Sequence, residues 1–278
     1  MKLFAKFRSI LALLTLWASP AHANSLSQVH SWAVFYGDSA PLKNLQKPDL
    51  LVLEPDQPWD PTTIRRPGQI ILAYLSLGEV NHSRRYYPEL AEATGSLLGK
   101  DPNWPEASLV DPRSSVWRSM VLDRIAPSLF ALGYDGFFLD TLDVGSYLQA
   151  KGKYPGADRA MAKLVLGLKQ RFPQAILLSN GGLSLLPETA KALSGLAVES
   201  VFTDYQFKPA KYREREARAA LARQEELGAL GTRYGLPVFV IEYAKDPDMR
   251  KRVAAKAEAA GFIPFVTTIG LDSLGEDP

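Results

Sequence analysis

The run Gly133-Tyr134-Asp135-Gly136-Phe137-Phe138-Leu139-Asp140-Thr141-Leu142-Asp143 opens on turn residues, passes into a short apolar block and ends in two carboxylates three positions apart. An apolar block this short, without polar alternation, is the pattern of an interior strand in a parallel sheet, where both faces are covered. An ionised aspartate left unpaired deep in such a sheet costs several kcal/mol. Asp140 therefore belongs at the C-terminal lip of its strand, the edge where barrels and open α/β sheets gather functional groups. Taken alone, it would serve equally well as a cap on the following turn. The neighbouring segments decide between the two.

Seven further segments follow the same pattern. Ser31 to Tyr36 is closed by Gly37-Asp38-Ser39, Asp49 to Leu53 by Glu54-Pro55, and Gln69 to Leu77 by Gly78-Glu79. Each ends on Gly or Pro and carries an acid. Ala175 to Ser179 leads into Asn180-Gly181-Gly182, Leu196 to Val201 contains Glu199, Pro237 to Ile241 ends at Glu242, and Phe262 to Thr268 is the last. Between them, Trp117, Val121, Ile125 and Leu129 recur every fourth position, and Met161, Leu164, Val165 and Leu168 repeat the spacing of a helix with one buried stripe. Helices are also expected over 185–193, over the Arg- and Glu-rich stretch 210–230, and over 247–260. The early links are short and broken by prolines, so the first helices should be small. Residues 80–110 read as a long irregular region whose aromatics form either a cleft wall or an inserted surface helix. Strands that alternate with helices must pair in parallel, and eight such units fit an α/β fold of the single (β/α)₈ TIM-barrel type.

Lys2, Lys6 and Arg8, an apolar block from Ile10 to Trp17, Pro20 and then Ala21-His22-Ala23 have the layout of a secretory leader, too short in its apolar part to span a bilayer. Residues 1–23 are thus expected to be a cleaved signal peptide and 24–278 the barrel domain, about the usual 250 residues for that fold. The product should be secreted or periplasmic, without a membrane span, and a monomer. Losing the three basic leader residues takes the formal charge from +2 to −1, and nothing in that balance suggests nucleic acid. The chain has no cysteine, so its stability must come from its core.

The strand exits offer Tyr36 and Asp38, Glu54, Glu79, Asp140 and Asp143, Asn180, Glu199 with Asp204 and Tyr205 just beyond, and Glu242. All exits of a barrel open on one mouth, so the carboxylates crowd there. Crowding of like charge is costly unless some groups are protonated, paired or directed at a cation. His30 and His82 are the only histidines after the leader and are not spaced as metal ligands, which leaves an oxygen-only divalent site as one alternative. They also make a Ser or Cys triad a poor reading. Glycoside hydrolysis needs only two carboxyl groups, one protonated and one ionised, and no cofactor. Asp140 and Glu199 are the best pair, because alternate barrel strands feed the same interior layer and Leu196-Ala197-Val198 would help keep Glu199 protonated. Trp32, Tyr36, Tyr74, Trp104, Tyr147 and Tyr205 are available as walls for sugar faces. A non-catalytic barrel that binds cationic polysaccharide is the remaining alternative.

Ala73-Tyr74-Leu75-Ser76-Leu77-Gly78-Glu79, the stretch from Gly133 through Asp143, Ser179-Asn180-Gly181-Gly182 and Val198-Glu199-Ser200 together resemble the endo-α-1,4-polygalactosaminidase family, glycoside hydrolase family 114. Its relatives include the hydrolase module of the Pel exopolysaccharide system. The resemblance runs from about Trp32 to Thr268. It implies a barrel that cuts partly deacetylated, galactosamine-containing polymer within the chain, with retention of anomeric configuration. Asp140 would be the nucleophile and Glu199 the acid/base. Tyr36, Asp38, Tyr74, Glu79, Asp143, Asn180, Asp204, Tyr205 and Glu242 would position substrate. A cationic amino-sugar partner would account for the acidic mouth. Many members carry Cys and Asn where this chain has Ala73 and Thr141.

Overall fold

A computed structural model describes residues 26–101 and 104–274, so the expected leader lies outside the described residues. Eight strands are arranged in sequence order: β1 (Trp32–Phe35), β2 (Leu50–Leu53), β3 (Ile70–Ser76), β4 (Gly136–Asp140), β5 (Ile176–Asn180), β6 (Gly195–Glu199), β7 (Val238–Tyr243) and β8 (Ile263–Thr267). Every neighbouring pair is parallel. This is the (β/α)₈ barrel expected from the sequence. The sheet is nearly closed. Across the β1–β8 seam Trp32 Nε1 donates to the Ile263 carbonyl at 3.0 Å, and beyond it Tyr36 N donates to the Leu271 carbonyl at 2.7 Å. Trp32 is buried against Phe138, Phe239 and Phe265, so this tryptophan fills the core and forms no part of a sugar-binding wall.

The run that opens with Gly133 occupies the middle of this sheet. At its lower end the Asp135 carboxylate accepts from Ile71 N at 2.7 Å and pairs with Arg65, which sets β4 against β3. Gly136 is then forced. A Cβ there would stand 1.9 Å from the Ile176 carbonyl oxygen, a backbone atom that cannot rotate away. Gly136→Ala should therefore part β4 from β5 and destabilise the protein by about 3 kcal/mol. Urea unfolding will measure it; an unchanged midpoint would mean that the two strands can separate without loss.

The helices follow the periodicities with four departures, the first being that the helix expected over 185–193 is only the short α-helix Leu186–Thr189 between 3₁₀ turns. Ser115–Ser119, Met120–Ile125 and Ala126–Ala131 form one continuous helix whose middle third has wider turns, with Ala126 N donating to the Val121 carbonyl five residues back. A strict four-residue apolar spacing exceeds the α repeat of 3.6, and the wider turns absorb the excess. The irregular region contains a three-stranded antiparallel sheet of Glu79–Asn81, Ala107–Val110 and Leu97–Lys100, with the helix Tyr87–Glu92 between the first and the last in sequence. The charged stretch expected to be helical from residue 210 begins instead with an antiparallel hairpin, Thr203–Phe207 against Ala210–Glu214, and the helix is Ala217–Tyr234. The alternation Tyr205, Phe207 and Tyr212, broken by Lys208-Pro209, is the strand signal that the abundance of Arg and Glu conceals.

Candidate active site

Three consecutive strands end on a polar residue: Asp140 on β4, Asn180 on β5 and Glu199 on β6. Each is followed by a residue in the left-handed region, Thr141 at φ 61, Gly181 at φ 69 and Ser200 at φ 57. A left-handed residue turns the chain sharply off the sheet, leaving the last strand side chain at the mouth. At position 181 a Cβ would lie 2.4 Å from Asp143 Oδ2 and would displace that carboxylate. A β-branched threonine is costly in this conformation. Its hydroxyl offsets that cost by donating to the Asp140 carbonyl at 2.6 Å and accepting from Gly78 N at 2.7 Å.

The Asn180 amide straddles the two acids. Its Nδ2 donates to Asp140 Oδ1 at 2.9 Å and to Glu199 Oε1 at 2.7 Å. One nitrogen thus bonds an oxygen of each acid, which brings the two carboxyls together across it. Tyr74 OH donates to the other oxygen of Asp140 at 2.9 Å, and Tyr243 OH to the other oxygen of Glu199 at 2.6 Å. Burial pushes both phenols far above their usual range, so they remain neutral donors.

Burial raises both carboxyls as well, but the forces opposing it differ. Asp140 is opposed by Tyr74, Asn180 and the Thr141 backbone, three donors that favour the ionised form, while the charge of Asp143 adds to burial in raising it. Glu199 has the opposing help of Tyr243 and Asn180 alone, and the charge of Asp140 adds to burial in raising it. Asp140 thus has more donors to its ionised form than Glu199 has.

The pair opens on a pocket of about 570 Å³, within the range of ligand sites. Tyr36, Tyr74, Glu79, Asp204 and Tyr205 line it, as do Trp104 and Phe207. Tyr36 stands edge-on to Tyr74 with centroids 5.0 Å apart. Burial first, then the charges of Asp101 and Asp140, pushes the Glu79 carboxyl up to about 7. Asp204 is clamped by Arg213 Nε at 2.8 Å.

Three expected site residues lie elsewhere. Asp38 is exposed and does not line the pocket. Asp143 is also outside it, at the start of the helix Asp143–Ala150, and accepts from Gly182 N at 3.2 Å, tying the β4 exit to the β5 exit. Glu242 is completely buried and accepts from the backbone of Val201, Phe202 and Thr203 and from the Thr203 hydroxyl at 2.6–3.0 Å. It anchors the turn after Glu199 and does not reach the mouth. Strand β7 runs to Tyr243, two residues past the expected end at Ile241, and the two faces of a strand alternate. Tyr243 consequently takes the place at the mouth that Glu242 was expected to fill. Tyr147 is exposed but lies off the pocket.

Arg84 was missed altogether. It lines the pocket, chelates both oxygens of Glu54 at 2.5 and 2.8 Å, and lies 5.9 Å from the Tyr74 ring centroid. It comes from the region read as irregular, where no periodicity marks one arginine from another.

The glycoside hydrolase domain of PelA from Pseudomonas aeruginosa superposes with a TM-score of 0.78 at 31% identity, over 89% of this chain and 98% of that one. Ega3 of Aspergillus fumigatus, solved in complex with galactosamine, superposes with a TM-score of 0.64 at 16% identity over 88% and 93%, a likeness of fold. An uncharacterized protein of Deinococcus radiodurans is 30% identical over 274 residues, 92% of this chain and 85% of the other. The model of glycoside-hydrolase family GH114 matches residues 15–277. With a barrel, two facing carboxyls and that match along nearly its whole length, the chain belongs to glycoside-hydrolase family GH114 and is a glycoside hydrolase.

Proposed function

We propose that this hydrolase cuts α-1,4-linked, galactosamine-containing and partly deacetylated exopolysaccharide within the chain, by double displacement with Asp140 as nucleophile and Glu199 as acid/base. The observation that carries the reading is the Asn180 amide bonded to both acids, because sharing one nitrogen keeps the two carboxyls close, and a close pair supports double displacement. In the first step Asp140 attacks the anomeric carbon while the glycosidic C–O bond breaks and its oxygen takes the proton of Glu199. In the second, water gives a proton to Glu199 and attacks the same carbon, which releases Asp140. Two inversions leave the anomeric configuration as it was. The leader-like residues 1–23 support export, and no helix among the described residues is long and apolar enough to cross a membrane.

Charge supports an amino sugar. Glu54, Glu79, Glu106 and Asp204 join the catalytic pair in the pocket lining against one basic residue there, Arg84; Glu54 is paired with Arg84 and Asp204 with Arg213, so the negative charge open to a ligand rests on the other acids. A ligand bearing ammonium groups relieves this repulsion, and a neutral or acidic one does not. The test is incubation with partly deacetylated galactosaminogalactan, Pel, chitosan and chitin, with fragments scored by mass and the first-formed anomer by proton NMR. Internal cleavage of the galactosamine polymers with α product first is expected. Intact galactosamine polymers, or β product first, would overturn the substrate or the mechanism respectively.

The position of Glu79 makes binding depend on pH. Below about 7 its carboxyl is protonated and attracts no cation; above about 7 it is ionised. KM for deacetylated polymer should therefore rise about tenfold as pH falls through 7, and Glu79→Gln should hold KM near its low-pH value throughout. Initial rates at several pH values will check this. A KM profile that is unaltered in the variant would remove Glu79 from binding.

A further inference from the structure

The hairpin and the Trp104 loop present aromatic surface that the two catalytic steps do not use. Trp104 is 44% and Phe207 45% exposed. Their rings meet edge to face with centroids 5.7 Å apart, although one comes from the insertion after β3 and the other from the insertion after β6. Phe207 continues to Tyr205 at 5.0 Å, and Tyr205 to Tyr212 at 4.9 Å. Strand periodicity places Tyr205 and Phe207 on one face of the hairpin, and small Ala210 opposite Phe207 leaves that ring uncovered. Trp104, Tyr205 and Phe207 line the same pocket as Asp140 and Glu199, so the aromatic row continues the catalytic cleft.

We propose that this row is a second sugar-binding platform that holds units of the polysaccharide beyond those at the cleavage point, so that affinity depends on chain length. The proposal rests on the glycosidase reading above and adds to it where the rest of the polymer lies. Pyranose rings pair with aromatic faces through their C–H groups, and the axial O4 of a galacto sugar gathers several of these hydrogens on one side. An ammonium at C2 is also attracted to an aromatic face. Glu106 borders the row with matching charge. The hairpin is braced against the helix Pro247–Ala259 and the segment after β8, since Glu214 binds Lys256 at 2.6 Å and Arg252 at 2.9 Å, and Tyr212 OH accepts from Ile269 N at 3.2 Å. A braced surface loses little freedom when a chain settles on it.

The test measures binding of a galactosamine trimer and nonamer by calorimetry in the inactive Glu199→Gln background. The nonamer should bind more tightly than the trimer. Trp104→Ala combined with Phe207→Ala should reduce that preference about tenfold, whereas Phe207→Tyr should keep it. In the active enzyme the double substitution should raise KM for polymer about tenfold while kcat moves by no more than about twofold, a split that general damage to the fold would not give. An unaltered preference for the nonamer in a double variant of unchanged Tm would overturn the platform. Cleavage of galactosamine polymer by that same variant would leave the catalytic reading in place. If instead the parent ignores galactosamine but binds another polymer through Trp104 and Phe207, the platform stands and the assigned substrate falls.

Discussion

Asp140→Asn is expected to lower kcat/KM on the polymer by about 10⁴-fold or more, since no neutral amide can form the glycosyl-enzyme bond. Its environment supports the role proposed for it. Tyr74 and Asn180 bond its two oxygens and the Thr141 backbone adds a third donor, all of which oppose the effect of burial. The same substitution should leave Tm unchanged or raise it, because it removes a desolvated charge. Reducing-end release and thermal unfolding measured on one preparation will separate the two effects. Activity within tenfold of the parent would mean that Asp140 is not the nucleophile.

Glu199→Gln should cost about 10²–10⁴-fold on polymer, where the leaving oxygen must be protonated. The loss should shrink on an aryl galactosaminide whose leaving group departs without help. In Glu199→Ala, azide should restore turnover and yield a glycosyl azide of retained configuration, because the second step then needs no base. The alkaline limb of the rate profile should belong to this group: burial and the charge of Asp140 raise its carboxyl, so it should keep its proton to higher pH than an ordinary glutamate, with activity expected to fall once that proton is lost. That limb should vanish in Glu199→Gln. Equal losses on polymer and aryl substrate, with no azide product, would reverse the roles of the pair.

The barrel was legible because its evidence is local. Each strand is a short apolar run ended by a turn residue, and from the third strand onward helical periodicity lies between them, so the order and parallel sense follow from pattern alone. Asp140, Asn180 and Glu199 were legible for the same reason, as polar residues at the ends of such runs. What could not be read are contacts made across the mouth. Tyr243 depends on where β7 ends, and the difference between residues 242 and 243 exchanges a buried anchor for a donor to Glu199. Arg84 and Trp104 are placed by the small antiparallel sheet after β3, whose pairing has no short-range signature. Asp143 looked like a second acid for the mouth. Its actual partner, Gly182 N, is 39 residues away in the chain and invisible to any local pattern.

Asn180 and Gly181 also form the dipeptide that is most prone to spontaneous deamidation in flexible chains, a reaction that begins when the following backbone nitrogen attacks the side-chain carbonyl carbon. Here that nitrogen is occupied, since Gly181 N donates to the Ala197 carbonyl at 2.9 Å, and the amide nitrogen is held between two carboxyls. The folded barrel thus shields from chemical ageing the amide whose hydrolysis would insert a further negative charge between the two acids. Local opening of the strand ends during prolonged storage or heating would remove that shield, and loss of activity with a mass gain at this peptide would then precede loss of the fold.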